Sequence, residues 1–145
     1  MAPWKSAREP AGFRELWCEE LASEAALAQL RRRLRAETTG SPIVADPDRE
    51  HWAERLVLIA DELTSNALRH GGGPVAAALS RVGDEWMVAV SDGSPDVPPV
   101  PAKGRDPVHG GLGLHIIGEL AARHGWFANH GSKTVWAVVT ADNTV

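Results

Sequence analysis

Two stretches of the chain carry apolar residues at the three- and four-residue spacing of an α-helix. The first begins after Ser23, a residue suited to cap a helix, and ends at Gly40-Ser41-Pro42. The second follows Asp46-Pro47-Asp48, in which a capping aspartate precedes a proline, and ends at Gly71-Gly72-Gly73-Pro74. The pattern therefore predicts two amphipathic helices, and the inward-facing residues of the second are Trp52, Leu56, Ile59, Ala60, Leu63 and Ala67.

Apolar runs of strand length follow the second helix. Residues Val75 to Val82 and Glu85 to Ser91 predict a hairpin whose turn is Gly83-Asp84. The second of these strands is apolar on both faces, which is typical of a central strand. Because side chains alternate between the two faces, Asp92 is expected on the same face as Trp86.

The C-terminal part of the chain predicts a helix from Leu112 to His124, followed by a hairpin of strands Trp126 to Asn129 and Lys133 to Thr140. Before this helix, the five prolines within residues 94–109 exclude ordinary helix or ladder pairing through most of that segment. A loop of this length inside a compact domain is usually functional or disordered.

The order of predicted elements indicates an α+β fold. We expect a two-layer sandwich with about three helices on one face of a mixed, mainly antiparallel sheet. Residues 1–22 are interpreted as an N-terminal arm, loose over residues 1–12 and with one edge strand near Phe13 to Glu19. Residues 23–145 are expected to form a single domain.

Composition narrows the class of protein. The 145 residues are 43% hydrophobic, as in a globular chain, and the net charge of −4 argues against general affinity for nucleic acid. Arg31-Arg32-Arg33 and Arg35 form a basic run, interpreted as a solvated helix face or, alternatively, as a docking patch for an acidic protein. The single cysteine, Cys18, excludes an internal disulfide. The chain shows neither a membrane-spanning apolar run nor a signal-peptide pattern, so a cytoplasmic protein without membrane contact is expected.

Candidate chemistry begins with Glu62 and Asn66 in the second predicted helix. Their four-residue spacing places both side chains on one face, at the rim of the apolar stripe. A carboxylate can accept a proton or orient a nucleophile, and a carboxamide oxygen is a hard ligand for Mg²⁺. Taken alone, the pair is more typical of an ordinary exposed helix face.

Two further signals lie downstream. Asp92-Gly93 ends a predicted strand, and Gly110-Gly111-Leu112-Gly113-Leu114 precedes a predicted helix. A glycine turn that enters a helix exposes unpaired N–H groups at the positive end of the helix dipole, where phosphate oxygens bind. Either motif alone is also typical of a turn or a hinge. Together with Glu62 and Asn66, they indicate a site for a Mg²⁺-bound nucleoside triphosphate.

In this order, and over roughly residues 23–141, the motifs resemble the GHKL ATPase superfamily. Its Bergerat ATP-binding fold is shared by histidine-kinase catalytic domains, Hsp90-type chaperones, gyrase B and MutL. Within the superfamily, the chain most resembles the small bacterial anti-sigma factors that are also serine-protein kinases. It departs from the usual Asp-x-Gly-x-Gly motif, since it reads Asp92-Gly93-Ser94-Pro95.

The resemblance implies a role for each matching residue. Asn66 would hold the Mg²⁺ that bridges the phosphates of ATP, and Glu62 would be the base that polarises the attacking hydroxyl. Asp92 would accept a hydrogen bond from the adenine amino group, and Gly93 would let the backbone approach the base. The residues that would cradle the triphosphate are Gly110, Gly111, Leu112, Gly113 and Leu114.

The loop of residues 94–109 corresponds to the nucleotide lid of the family. Its cations, Lys103 and Arg105, would either reach the γ-phosphate as the lid closes or remain solvated charges. Thr134 opens the last predicted strand, and family members often place a threonine there, near adenine.

The resemblance also implies an ATP-binding regulatory protein, with serine/threonine-kinase activity on a protein antagonist as the first hypothesis. The expected partners are a sigma factor, its antagonist or both, without direct contact to nucleic acid. A homodimer is also expected, with the basic helix at residues 24–38 as one candidate contact surface. The alternative is a nucleotide-binding partner-switch module without phosphotransfer, and a third reading is a scaffold that binds no nucleotide. Only the kinase needs Glu62 as a base.

Overall fold

The computed structural model describes residues 6–39, 50–96 and 117–141. In chain order, the elements are β1 (Arg14–Glu20), α1 (Glu24–Thr39), α2 (Glu50–His70), β2 (Ala76–Val82), β3 (Glu85–Asp92), β4 (Arg123–Asn129) and β5 (Ser132–Thr140). Residues 117–120 are also helical. The helices pack on one face of the sheet, so the predicted α+β sandwich is confirmed.

The sheet has five strands in the order β1-β2-β3-β5-β4, and every neighbouring pair is antiparallel. The hairpin predicted at Gly83-Asp84 is present, and Gly83 has the positive φ of 58° that such a tight turn requires. Strand β3 lies in the centre, as its apolar sequence predicted. The predicted cap of α1 is also confirmed, since the Ser23 Oγ accepts a hydrogen bond from the N–H of Ala26.

The main core lies between the helices and the sheet. Helix α2 packs on β3 and β5, and α1 packs on α2. The predicted apolar stripe of α2 is fully or almost fully buried, and residues at alternate positions of β3 and β5 complete the core: Trp86, Val88, Val90, Val135, Ala137 and Val139. The rings of Trp52 and Trp86 stack with centroids 5.2 Å apart, which joins α2 to the central strand.

On the opposite face of the sheet, residues 6–13 pack against the strands, whereas the sequence predicted a loose arm over residues 1–12, of which residues 1–5 lie outside the described ranges. The Ala7 N–H donates to the Trp126 carbonyl on β4 (2.8 Å), and the Trp136 indole N–H donates to the Ala7 carbonyl (2.8 Å). Ala7 and Phe13 pack on a small second core of Met87, Trp136 and Val138. We call residues 6–13 the strap. The strap is ordered because the apolar back of the sheet needs a cover.

One boundary predicted from the sequence is wrong. Arg123 and His124, expected at the end of the third helix, belong to strand β4. Their register on β5 supplies the reason, because Arg123 pairs with Val138 and the Ala122 N–H already donates to the Val138 carbonyl. Pairing with a neighbouring strand thus overrides the local helical pattern.

The basic run of α1 is mostly engaged within the chain. Arg31 binds Asp61 on α2, with Nε–Oδ1 at 2.7 Å, and Arg33 pairs with Glu19 while lying over the Trp17 ring. Arg35 lies 4.0 Å from Glu54. These contacts of the basic run therefore link α1 to β1 and α2. Within the described ranges, no helix has the length and apolar character needed to cross a membrane.

Candidate functional site

Helix α2 carries both residues singled out at the four-residue spacing. Glu62 and Asn66 are half-buried, whereas their neighbours Leu63 and Ala67 are buried in the core. Both side chains thus lie at the rim of the helix-sheet interface, as predicted. Among the described residues, neither side chain has a hydrogen-bond partner.

The Glu62 carboxyl has a raised pKa. Burial is the main cause, since it disfavours the charged form, and the adjacent Asp61 raises the pKa further. The guanidinium of Arg69, two turns along the same helix, partly opposes these effects. A carboxyl group with a raised pKa is a better proton acceptor once it is ionised, which is the property that a general base requires.

The end of α2 and the end of β3 are in close contact. The Gly93 N–H donates to the Gly72 carbonyl, and the Gly72 N–H donates to the Ser94 hydroxyl (2.7 Å). A Cβ on Gly93 would come within 2.5 Å of the Gly72 oxygen, so only glycine fits there. The three glycines that end the helix therefore do more than stop it, because they bring Asn66 and Asp92 to the same end of the sandwich.

Asp92 is buried, as its place in the alternation predicted, and has two partners. Its Oδ1 accepts the Ser94 N–H (2.8 Å), and its Oδ2 lies 3.5 Å from the Lys133 ammonium. Both side chains of this ion pair are almost inaccessible, at 3% exposure for Asp92 and 5% for Lys133. A charge buried so deeply is costly unless a partner compensates it, so each of the two depends on the other.

Strand β5 presents Lys133, rather than Thr134, to the Asp92 face. Lys133 is the register partner of Asp92, and it shares its face with Val135 and Ala137 of the main core. Thr134 pairs with Ser91 and Phe127, so its side chain lies on the strap side of the sheet. Lys133 was missed in the sequence, although the alternation of Val135, Ala137 and Val139 would have placed it inward.

The remaining site residues predicted from the sequence lie outside the described residues. They are Lys103, Arg105, Gly110, Gly111, Leu112, Gly113 and Leu114, together with most of the predicted lid. The part of the site that the structure brings together therefore consists of the Glu62–Asn66 face of α2, the glycine turn after it, and the Asp92–Lys133 pair.

Comparison with known proteins decides the family. A profile of the histidine kinase-like ATPase domain matches residues 21–139 of the chain. The chain belongs to the histidine kinase-like ATPase domain family. This ATPase domain is therefore of the GHKL type, and the fold described above agrees with that assignment. A search of curated proteins found no significant match.

Membership in the family implies that the ATPase domain binds ATP and has a regulatory function.

The side chains of the site also indicate which residue can hold Mg²⁺. Within the described ranges, no three histidine, cysteine, aspartate or glutamate side chains converge as a metal cluster. A single carboxamide such as Asn66 nevertheless fits Mg²⁺, because this ion commonly takes one or two protein oxygens and completes its shell with phosphates and water.

Proposed function

We propose that this ATPase domain is a Mg·ATP-dependent serine/threonine-protein kinase that regulates a protein partner. The observation that carries the proposal is the half-buried Glu62, whose pKa is raised, on the same helix face as Asn66. Phosphoryl transfer requires mainly positioning and charge stabilisation, and the protein must add little beyond a base for the incoming hydroxyl. Helix α2 offers both a base and a ligand for the nucleotide.

Each residue has a defined part in this proposal. Asp92 accepts a hydrogen bond from the adenine amino group, and Asn66 offers its amide oxygen to Mg²⁺. When bound, the ion would neutralise charge on the phosphate oxygens. Glu62 accepts the proton of a serine or threonine hydroxyl while the oxygen of that hydroxyl bonds to the γ-phosphorus. The bond from that phosphorus to the bridging oxygen then breaks, and ADP leaves.

The resemblance to anti-sigma factors suggests the partners. We propose a sigma factor, a protein antagonist that carries the phosphorylated hydroxyl, or both, in the cytoplasm. Three arginines of α1 already contact the chain's own residues, Asp61, Glu19 and Glu54, so a partner or a second copy would have to compete with these contacts on that helix. The phosphorylated protein is therefore best identified by transfer of label rather than by capture alone.

The test uses the full chain with an affinity tag, bound to proteins from its native host and supplied with Mg²⁺ and [γ-³²P]ATP. We expect acid-stable label on a captured protein, as serine or threonine phosphate. Glu62→Gln should bind ATP and capture the same protein but transfer no label. Glu54→Gln, an exposed carboxylate on the same helix, is the matched control and should label as the wild type does.

The same experiment separates the kinase from the alternative without phosphotransfer. If the wild type binds ATP and captures its partner but no captured protein gains label, the domain is a nucleotide-dependent binding module. If calorimetry with Mg·ATP and Mg·ADP detects no binding by folded protein, the nucleotide site itself is wrong.

A further inference from the structure

A buried lysine faces the carboxylate that is proposed to read the nucleobase. Lys133 Nζ lies 3.5 Å from Asp92 Oδ2, and the two residues are direct register partners on β5 and β3. Residues paired in this way project their side chains to the same face of a sheet. Here that face is the one covered by α2. Lys133 is therefore a buried part of the site rather than a surface charge.

The contacts of Asp92 decide how its oxygens are presented to a ligand. A charge buried this deeply requires a partner, and a partner on the neighbouring strand also fixes the orientation of the carboxylate. Within the described residues, Lys133 is the cation that forms an ion pair with Asp92.

The two oxygens of Asp92 are held from different sides. Oδ1 accepts the Ser94 N–H at 2.8 Å, and Oδ2 faces the ammonium of Lys133. A carboxylate has about four lone-pair positions, so acceptor capacity remains for a ligand after both contacts are made. An acceptor position of Asp92 therefore stays open in a fixed orientation. It suits a nucleobase that presents an N–H donor.

We propose that Lys133 is a positioning residue for nucleobase recognition, which holds the Asp92 carboxylate in a fixed orientation as an acceptor and so selects a purine with an exocyclic amino group at position 6. The inference rests on the proposed nucleotide site but does not depend on phosphotransfer. Lys133 acts through Asp92, so its removal should weaken the contribution of the amino group and leave the triphosphate contacts intact.

The test compares two ligands on two proteins by calorimetry. Mg·ATP carries the 6-amino group, and Mg·purine riboside triphosphate lacks it. We expect the wild type to prefer ATP by about ten- to hundredfold, the range for a hydrogen bond to a charged group. In Lys133→Met, this preference should fall to within about threefold of unity, while the affinity for purine riboside triphosphate stays within about twofold of wild type.

Two further variants distinguish loss of the Lys133 charge from loss of folding. Lys133→Gln keeps a hydrogen-bond donor beside Asp92 without the charge, and it should also lose most of the preference for ATP. Lys133→Arg keeps the charge and should retain the preference. Arg123→Gln, which removes only an exposed ion pair between β4 and Glu85 on β3, is the control and should bind both ligands as the wild type does.

The outcomes are distinct. An unchanged preference for ATP in Lys133→Met or Lys133→Gln overturns the inference, because the charge is then not needed. Equal weakening of both ligands also overturns it, since Lys133 would then be merely structural. If the wild type binds neither ligand, the nucleotide site proposed above fails first.

Discussion

A Cβ placed on Gly71 would stand 2.5 Å from the Cγ of Asp92, so the glycine after α2 and the carboxylate at the end of β3 are packed directly against each other. Atoms this close leave no room for any side chain at position 71. The contact sets the end of the helix that carries Asn66 against the strand that carries Asp92. It therefore links the two halves of the site, which are distant in the chain.

Replacing Gly71 with alanine should displace Asp92. We expect Gly71→Ala to lower the free energy of unfolding by about 1–3 kcal/mol, the usual cost of overpacking, and to weaken ATP binding at least about tenfold. Urea titration and calorimetry measure the two effects. The control is Gly118→Ala, where the added Cβ meets His124 only at an ordinary 3.8 Å and should be neutral or slightly stabilising. Wild-type affinity in Gly71→Ala would show that the contact can relax.

Asp92→Asn should destabilise the fold as well as weaken nucleotide binding. The change leaves the buried Lys133 ammonium opposite a neutral amide, which is expected to lower the free energy of unfolding by about 3 kcal/mol. Urea unfolding tests this directly. The double variant Asp92→Asn with Lys133→Met removes both members of the pair and should be more stable than Asp92→Asn alone. If the double variant is the less stable of the two, the charges do not compensate each other.

Glu62→Gln should stabilise the folded protein at neutral pH. Because the folded-state pKa of Glu62 lies above its unfolded value, the folded state binds more protons, and stability falls as pH rises through this window. The neutral glutamine removes that loss, so its Tm should exceed that of the wild type at pH 7. The gain should vanish below about pH 4, where the unfolded carboxyl is also protonated. An equal Tm difference at both pH values would contradict this origin.

Asn66→Ala should remove the magnesium dependence of ATP binding. The wild type should bind ATP more tightly with Mg²⁺ than with EDTA, because the amide oxygen of Asn66 supplies a ligand. In Asn66→Ala, the affinity with Mg²⁺ should fall at least about tenfold, while the affinity in EDTA stays near wild type. Calorimetry under both conditions measures this. Ser65→Ala, at the adjacent position on the helix, is the control and should keep the magnesium effect.

Trp136→Phe should loosen the strap from the sheet. The indole N–H of Trp136 donates to the Ala7 carbonyl, and phenylalanine retains the aromatic ring without this donor. Loss of one such hydrogen bond should lower the free energy of unfolding by about 1 kcal/mol. Hydrogen exchange should then be faster at Ala7, whose N–H donates to the Trp126 carbonyl. Unchanged exchange there would mean that the remaining contacts hold the strap without the hydrogen bond from Trp136.

The nature of the site could be recognised from local patterns. Glu62 and Asn66 fall on one helix face because of their spacing, and Asp92 falls on the buried face because strands alternate. Each of these placements depends on residues within a few positions of one another. The prediction of Thr134 near adenine came from the resemblance to the family, whereas alternation in β5 brings Lys133 to the Asp92 face.

Local patterns in the sequence thus predicted the helices, the strands and the candidate ATP site, since periodicity and turn chemistry act over short distances. Only the tertiary structure determined three further features. They are the charge that faces Asp92, the glycine that packs on it and the strap that covers the back of the sheet. These features arise when strands distant in the chain pair in one register and apolar faces seek a cover. Such contacts depend on the whole arrangement in space, which no short window of residues contains.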